Sequence, residues 1–181
     1  MSAEPILIRE LLPTELTPSL FSSFDRYQQV TRCWRKENGA WILKDIAFVE
    51  QWDDGDYRSL VQALLRTCRT GGTVLGAFRD GALVGFASVE NEPFGTACRY
   101  LQLSFFYVSY ECRRRGIGRL LFERAARTAR GKGADALYLS AHSSEETQAF
   151  YRAMGCREAV EYNRSLAEKE PCDCQLEYRL S

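Results

Sequence analysis

The 181-residue sequence has a single histidine, His142, and no second cysteine pair to join Cys172-Asp173-Cys174 at zinc-ligand spacing. That excludes the usual Cys/His frameworks of zinc sites, so no metal is expected. Charge of one sign is missing as well, since 24 Lys and Arg balance 24 Asp and Glu. Without a net field the chain is not read as a nucleic-acid binder, and any anion site must be local. No run reaches the about 18 apolar residues of a membrane span, so a soluble chain with no membrane partner is expected. The start, MSAEPILIRE, lacks the basic and long apolar regions of a secretory leader. The seven cysteines (Cys33, Cys68, Cys98, Cys112, Cys156, Cys172, Cys174) are an odd, scattered set. They do not resemble a secreted disulfide framework, and reduced thiols in the cytoplasm are expected. No repeat, low-complexity tract or linker is present, which predicts one domain over 1–181.

What is there reads as alternating α and β elements. Ile6–Ile8 is a first strand, and Thr14 precedes an apolar pattern that predicts a capped helix over Glu15–Phe24. Asn38-Gly39 lies between runs rich in aromatic and β-branched residues, which predicts a hairpin near 30–44. Tyr57, Leu60, Val61, Leu64, Leu65 and Cys68 recur at helical spacing and stop at Gly71-Gly72. Thr73–Phe78 and Ala82–Glu90 form a second hairpin about Asp80-Gly81, and Arg99–Ser109 is a long aromatic strand. A helix then places Ile117, Leu120, Leu121, Ala125 and Thr128 on one face as far as Gly131 and Gly133. Ala136–Ala141 reads as a strand, and Glu145–Met154 as a helix ended by Gly155. Two tail strands, near 156–162 and 174–180, flank a polar loop. This order predicts a largely antiparallel sheet with one parallel crossover.

Between the long strand and its helix lies Arg113-Arg114-Arg115-Gly116-Ile117-Gly118-Arg119. A helix start carries unpaired N–H groups and the positive end of the helix dipole, glycines let a ligand approach the backbone, and arginines add charge. The combination suits a phosphate or pyrophosphate; a solvated basic turn is the plain alternative. It is neither a P-loop, lacking Gly-Lys-Ser/Thr, nor a dinucleotide fingerprint, lacking the third glycine.

Arg113 to Gly118 resembles the R/Q-x-x-G-x-G/A signature of the GNAT family of N-acetyltransferases, with Val108 to Cys112 ending that family's fourth strand. Ala149-Phe150-Tyr151-Arg152-Ala153-Met154-Gly155-Cys156 is similar to its A-x-F-Y-x-x-x-G-F segment, with Cys156 where Phe is usual. The likeness is strongest over 73–162, and the 30–44 hairpin looks like an addition. It implies an α/β fold of the acyl-CoA N-acyltransferase type, a mixed, mostly antiparallel sheet flanked by helices and splayed between its fourth and fifth strands. It also implies acetyl-CoA as co-substrate, with a pyrophosphate on the amides of Arg115, Gly116, Gly118 and Arg119. Tyr107 and Val108 would pair with pantetheine, and an amide near Phe106 would polarise the thioester carbonyl. Tyr151 matches the tyrosine that serves the leaving sulfur, and Ser144 stands where the family often has Asn.

The base is open: Glu90 and Glu92 are candidates at the end of a strand, each of a type more often simply solvated. His142 is a further candidate, since an imidazole as a class titrates near neutrality, but a lone histidine is more often structural. Tyr27, Trp34, Trp41 and Trp52 beside Asp53, Asp54 and Asp56 could form a wall for a cationic amine; the competing reading is that the tryptophans are core and the aspartates cap a helix. The expected activity is acetylation of a small primary amine. Acetylation of a protein N-terminus or lysine, or non-catalytic acyl-CoA binding, are the alternatives, and a homodimer is compatible with each.

Overall fold

Asn38 and Gly39 have φ of 50° and 80°, and Asp80 and Gly81 of 53° and 75°, the left-handed geometry of a two-residue hairpin turn. In the computed structural model, which describes residues 5–181, the first turn joins β2 (Gln28–Glu37) to β3 (Ala40–Glu50). The second joins β4 (Thr73–Arg79) to β5 (Ala82–Val89). The β2–β3 ribbon is longer than expected and remains apart from the main sheet. Ion pairs Arg32–Glu145 and Lys36–Glu158 tie it to the elements beyond.

The main sheet adds β1 (Leu7–Glu10), β6 (Tyr100–Val108), β7 (Ala136–Ala141), β8 (Arg157–Glu158) and β9 (Cys174–Arg179), in the order β1-β4-β5-β6-β7-β9-β8. Every neighbouring pair is antiparallel except β6 with β7. Successive strand residues face opposite sides, so Val74 meets Leu60, Val61 and Leu64 of α1 (Asp54–Arg69) in one core, and Leu75 shares the other with Leu121, Phe122 and Ala125 of α2 (Ile117–Gly131). Leu64, Leu75 and Leu121 are fully buried, each contributing about 1.5–3 kcal/mol. Helix α3 (Glu145–Met154) follows β7, and α4 (Arg164–Lys169) precedes β9.

Two expectations need correction. The helix over Glu15–Phe24 does not form; 3₁₀ turns at Pro13–Glu15 and Pro18–Phe21 replace it. Pro18 disfavours helical geometry in the residue before it, and Thr17 is extended at φ −128°, ψ 159°. The tail strand near 156–162 shrinks to Arg157–Glu158, and the loop after it contains α4, whose Asn163 side chain accepts the Leu166 N–H. Six residues are too few to show a helical period, though the Asn163 cap was readable.

The main sheet parts at one place. Strands β6 and β7 share only three registered pairs, Tyr100–Ala136, Leu101–Leu137 and Gln102–Tyr138. Next to that vertex the β5–β6 register slips: Val89 faces Leu103 but Ser88 faces Phe105, leaving Ser104 as the extra residue of a bulge. A bulge bends its strand. From there β6 continues with β5 and β7 with β9, so the sheet opens.

All seven cysteines are free. Cys172 is exposed, whereas burial pushes the Cys156 and Cys174 thiols up to about 12. Iodoacetamide at neutral pH is expected to label Cys172 in the native protein and leave Cys156 and Cys174 for the unfolded one. Peptide mass spectrometry showing equal native labelling of Cys172 and Cys174 would contradict this.

Candidate active site

The opening between β6 and β7 is a cavity of about 560 Å³. Leu103, Ser104, Phe106, Tyr107 and Val108 wall it on one side, Leu139, Ser140, Ala141 and His142 on the other, and α3 supplies Phe150 and Tyr151. Past Gln102 the facing backbones lack strand partners across the gap, and such groups require a partner from a ligand or water.

At one end the cavity reaches the start of α2 through Arg113, Arg114, Gly116, Gly118 and Arg119. Asp53, Ser144 and Asn163 cap α1, α3 and α4 through their side chains, but the α2 N-cap is Gly116 and no side chain caps it. Its first N–H groups are therefore free. Gly116 has φ +80° and a Cβ there would meet nothing within 4 Å, so backbone conformation and not space explains this glycine. Arg114 is also left-handed, at φ 60°, a conformation uncommon for a residue of its size. At Gly118 space decides: a Cβ would lie 3.1 Å from the Phe150 ring. Arg113 donates from Nε to the Val108 carbonyl at 3.0 Å, closing the base of the loop. Burial, and then Arg26, lower its pKa.

Tyr151 is 7% exposed, its ring against Phe106, Phe122 and Phe150. Its hydroxyl makes no hydrogen bond to another described residue, and the residue lines the cavity. Burial, and then Tyr107, push its pKa above the ordinary phenol range, so it remains protonated at neutral pH.

Glu90 is not on the cavity wall. It is coupled to it by Ser104, whose Oγ donates to Glu90 Oε1 at 2.5 Å, while Thr67 donates to the same oxygen at 2.8 Å. Ser88 Oγ lies 2.6 Å from Ser104 Oγ on the other side. The bulge thus exposes a serine hydroxyl to the cavity with a carboxylate behind it.

Of the other expected residues, Phe106, Tyr107, Val108, Arg113, Arg114, Gly116, Gly118 and Arg119 meet at the cavity; Arg115 and Ser144 do not. Ser144 is 2% exposed, caps α3, and receives a hydrogen bond from Gln28. Glu92 is exposed beyond β5. His142 reaches the cavity with both nitrogens engaged: Nδ1 accepts the Ser144 N–H at 3.1 Å and Nε2 lies 3.3 Å from Glu50 Oε1. That contact, with Arg26 assisting, keeps the Glu50 carboxyl below its usual range despite burial.

The aromatic wall does not assemble. Trp34 stacks under Arg152, Trp41 donates to Glu158, Tyr27 packs on Tyr110, and only Trp52 approaches the cavity, behind Tyr107. Asp53 and Asp56 form a reciprocal cap on α1, with Asp54 in its first turn. Sequence reasoning missed Arg26, Gln28, Ser104 and Glu146, all cavity-lining. None stands in a motif; Ser104 was visible only as a polar residue in an apolar strand.

The family model for the Acetyltransferase (GNAT) family matches residues 28–156, and the chain belongs to this family. It is an acetyltransferase of the GNAT type. The match reaches back into the β2–β3 ribbon, further than the motifs alone suggested. No curated protein matches the sequence significantly. Among solved structures, nourseothricin acetyltransferase is similar at a TM-score of 0.68 and 19% identity, over 97% of this chain and 99% of that one. A candidate streptothricin acetyltransferase from Bacillus anthracis, bound to acetyl coenzyme A, is similar at 0.71 and 14%, over 99% and 100%. PaiA N-acetyltransferase from Thermoplasma acidophilum, bound to coenzyme A, is similar at 0.59 and 16%, over 97% and 99%. Among the described residues no group of three His, Cys, Asp or Glu is placed to hold a metal, and no helix is long and apolar enough to cross a membrane.

Proposed function

We propose that the protein acetylates a primary amine of a small molecule, using acetyl-CoA, in the cytoplasm. The observation that carries this reading is the gap between β6 and β7, which runs from the uncapped start of α2 to the free hydroxyl of Tyr151. Its residues fit the co-substrate. The free N–H groups at 117–119 with Arg114 and Arg119 suit a pyrophosphate, and the edge at Tyr107 and Val108, which has no strand partner across the gap, suits the amides of pantetheine. Acetyl-CoA supplies an activated thioester.

The chain's own groups orient it and move protons. A backbone N–H near Phe106 is positioned to polarise the carbonyl. Tyr151 holds a proton for the sulfur that leaves as a C–N bond replaces the C–S bond. Ser104, already donating to Glu90, can pass on the proton that the amine loses. Binding alone needs neither group, which favours an enzyme over a sensor. The neighbours named for nourseothricin and streptothricin favour a small acceptor over a protein terminus.

At a concentration a hundredfold above Kd, acetyl-CoA is expected to stabilise the fold by about 2.7 kcal/mol, raising Tm by roughly 5–10 °C. A thiol-release screen of polyamines, aminoglycosides, amino acids and peptides then identifies the acceptor class. Absence of both a shift and calorimetric binding would refute the co-substrate; binding without turnover of any amine would leave a sensor.

A further inference from the structure

Arg26 is 4% exposed and lines the cavity, yet it belongs to no motif and to no step of the proposed transfer. Its guanidinium lies 4.5 Å from the Tyr107 ring centroid and 5.4 Å from that of Trp52. One contact balances its charge: Nη2 donates to Glu50 Oε2 at 3.0 Å. Nε and Nη1 are buried with no hydrogen-bond partner, and among the described residues they are the only buried side-chain nitrogen or oxygen atoms in that condition. Leaving such donors unmatched costs about 1–3 kcal/mol each, and more when the group is charged. Among the described residues these are the buried side-chain donors for which the chain itself supplies no partner.

The surroundings define what partner would suit them. Glu50 spends its other oxygen on His142, so a single carboxylate oxygen serves Arg26. Arg113, close enough for Arg26 to lower its pKa, brings a second positive charge to the same wall. Glu146, in the first turn of α3, is the only carboxylate among the lining residues. The guanidinium carbon lies over the Tyr107 and Trp52 rings, and its two unpartnered nitrogens remain for an oxygen anion. Place matters too. Tyr107, whose ring Arg26 covers, follows Phe106, where the thioester is proposed to react, and all three residues line the one cavity.

We infer that Arg26 binds a carboxylate carried by the acceptor, so that the substrate is a short amino acid whose amine meets the thioester while its carboxylate rests on Arg26. This rests on the acetyltransferase reading. A small turn of the guanidinium, restrained by the single Glu50 contact, brings Nε and Nη1 to the ligand. The matched acceptor is then distinguished from a neutral analogue by donors that the analogue leaves unpaired.

The test is a panel of amino acids, each as the free acid and as its primary amide, followed by thiol release with wild type, Arg26→Gln and Arg26→Lys. The expected result is at least one free acid with kcat/KM about 100-fold or more above its amide. Arg26→Gln should remove that advantage, mainly through KM, while coenzyme A affinity by calorimetry stays within about twofold. Arg26→Lys, which keeps the charge, should recover part of it and guards against a merely unfolded Gln variant.

Equal rates for acids and amides would overturn the inference, as would turnover confined to polyamines or aminoglycosides; both would leave the acetyltransferase reading intact. Loss of coenzyme A affinity in Arg26→Gln, with the acid preference kept, would assign the anion to the co-substrate and also overturn it. If no amine turns over, the acetyltransferase reading fails first. Calorimetry of the free acids and amides on the coenzyme A complex then decides the inference alone, with equal or absent binding counting against it.

Discussion

Tyr151→Phe should lower turnover by about 10²-fold, within the ~10²–10⁴-fold range of general acid catalysis, with acetyl-CoA affinity nearly retained. The substitution removes one hydroxyl and keeps the ring that packs on Phe106, Phe122 and Phe150. Because that hydroxyl has no partner among the described residues, its loss leaves no protein group unsatisfied, and Tm should change little. Burial raises the Tyr151 pKa, so the neutral form persists above the ordinary phenol value of about 10. Its contribution to stability is accordingly complete below that value and is lost only as pH rises through the higher folded one. Wild-type turnover should therefore show no alkaline loss from this group up to about pH 10. A Phe variant with wild-type turnover on a verified acceptor would remove Tyr151 from the mechanism.

Gly118→Asp is expected to abolish measurable acetyl-CoA binding, a loss of about 100-fold or more. A new carboxylate would stand where a pyrophosphate needs the free N–H groups, and could accept them itself. The helix should survive, since an acidic residue in a first turn suits the dipole. Contact with Phe150 adds steric cost, because the Cβ alone would come within 3.1 Å of its ring. Gly118→Ala separates the effects: it carries the contact without the charge, so calorimetry should show a smaller loss. A folded Asp variant with unchanged affinity would contradict the placement of the anion site.

The Arg-Gly segment was legible because its chemistry is local. A helix start with glycine at its cap and no side-chain acceptor is dictated by neighbours in the chain, and the structure keeps it there. Tyr151 was legible for a similar reason, as part of a short run on one helix. Glu90 was half legible. Its place at the end of β5 could be read, but its link to the cavity depends on a bulge that moves Ser104 by one position, and no alternation of residues announces a bulge. Ser144 was read by analogy as a ligand contact, whereas the backbone of α3 claims its hydroxyl as a cap. The expected aromatic wall failed because residues close in sequence point to different neighbours: Trp34 and Trp41 to the C-terminal half, Trp52 to β6.

By itself the sequence determined the hairpin turns, three of the four helices, the single parallel crossover and the glycine-led start of α2. Each follows from interactions within a few residues of one another or from the periodicity with which a segment meets its core. Tertiary structure alone decided where β6 leaves β7, which hydroxyl stands before Glu90, and that Arg26 should face β6 from the loop before β2. Arg26 meets Tyr107 and Glu50 across 81 and 24 positions of chain. Pairings at such separations depend on how whole elements pack and not on local preference, so the part of the site proposed to select the acceptor appears only after the chain has folded.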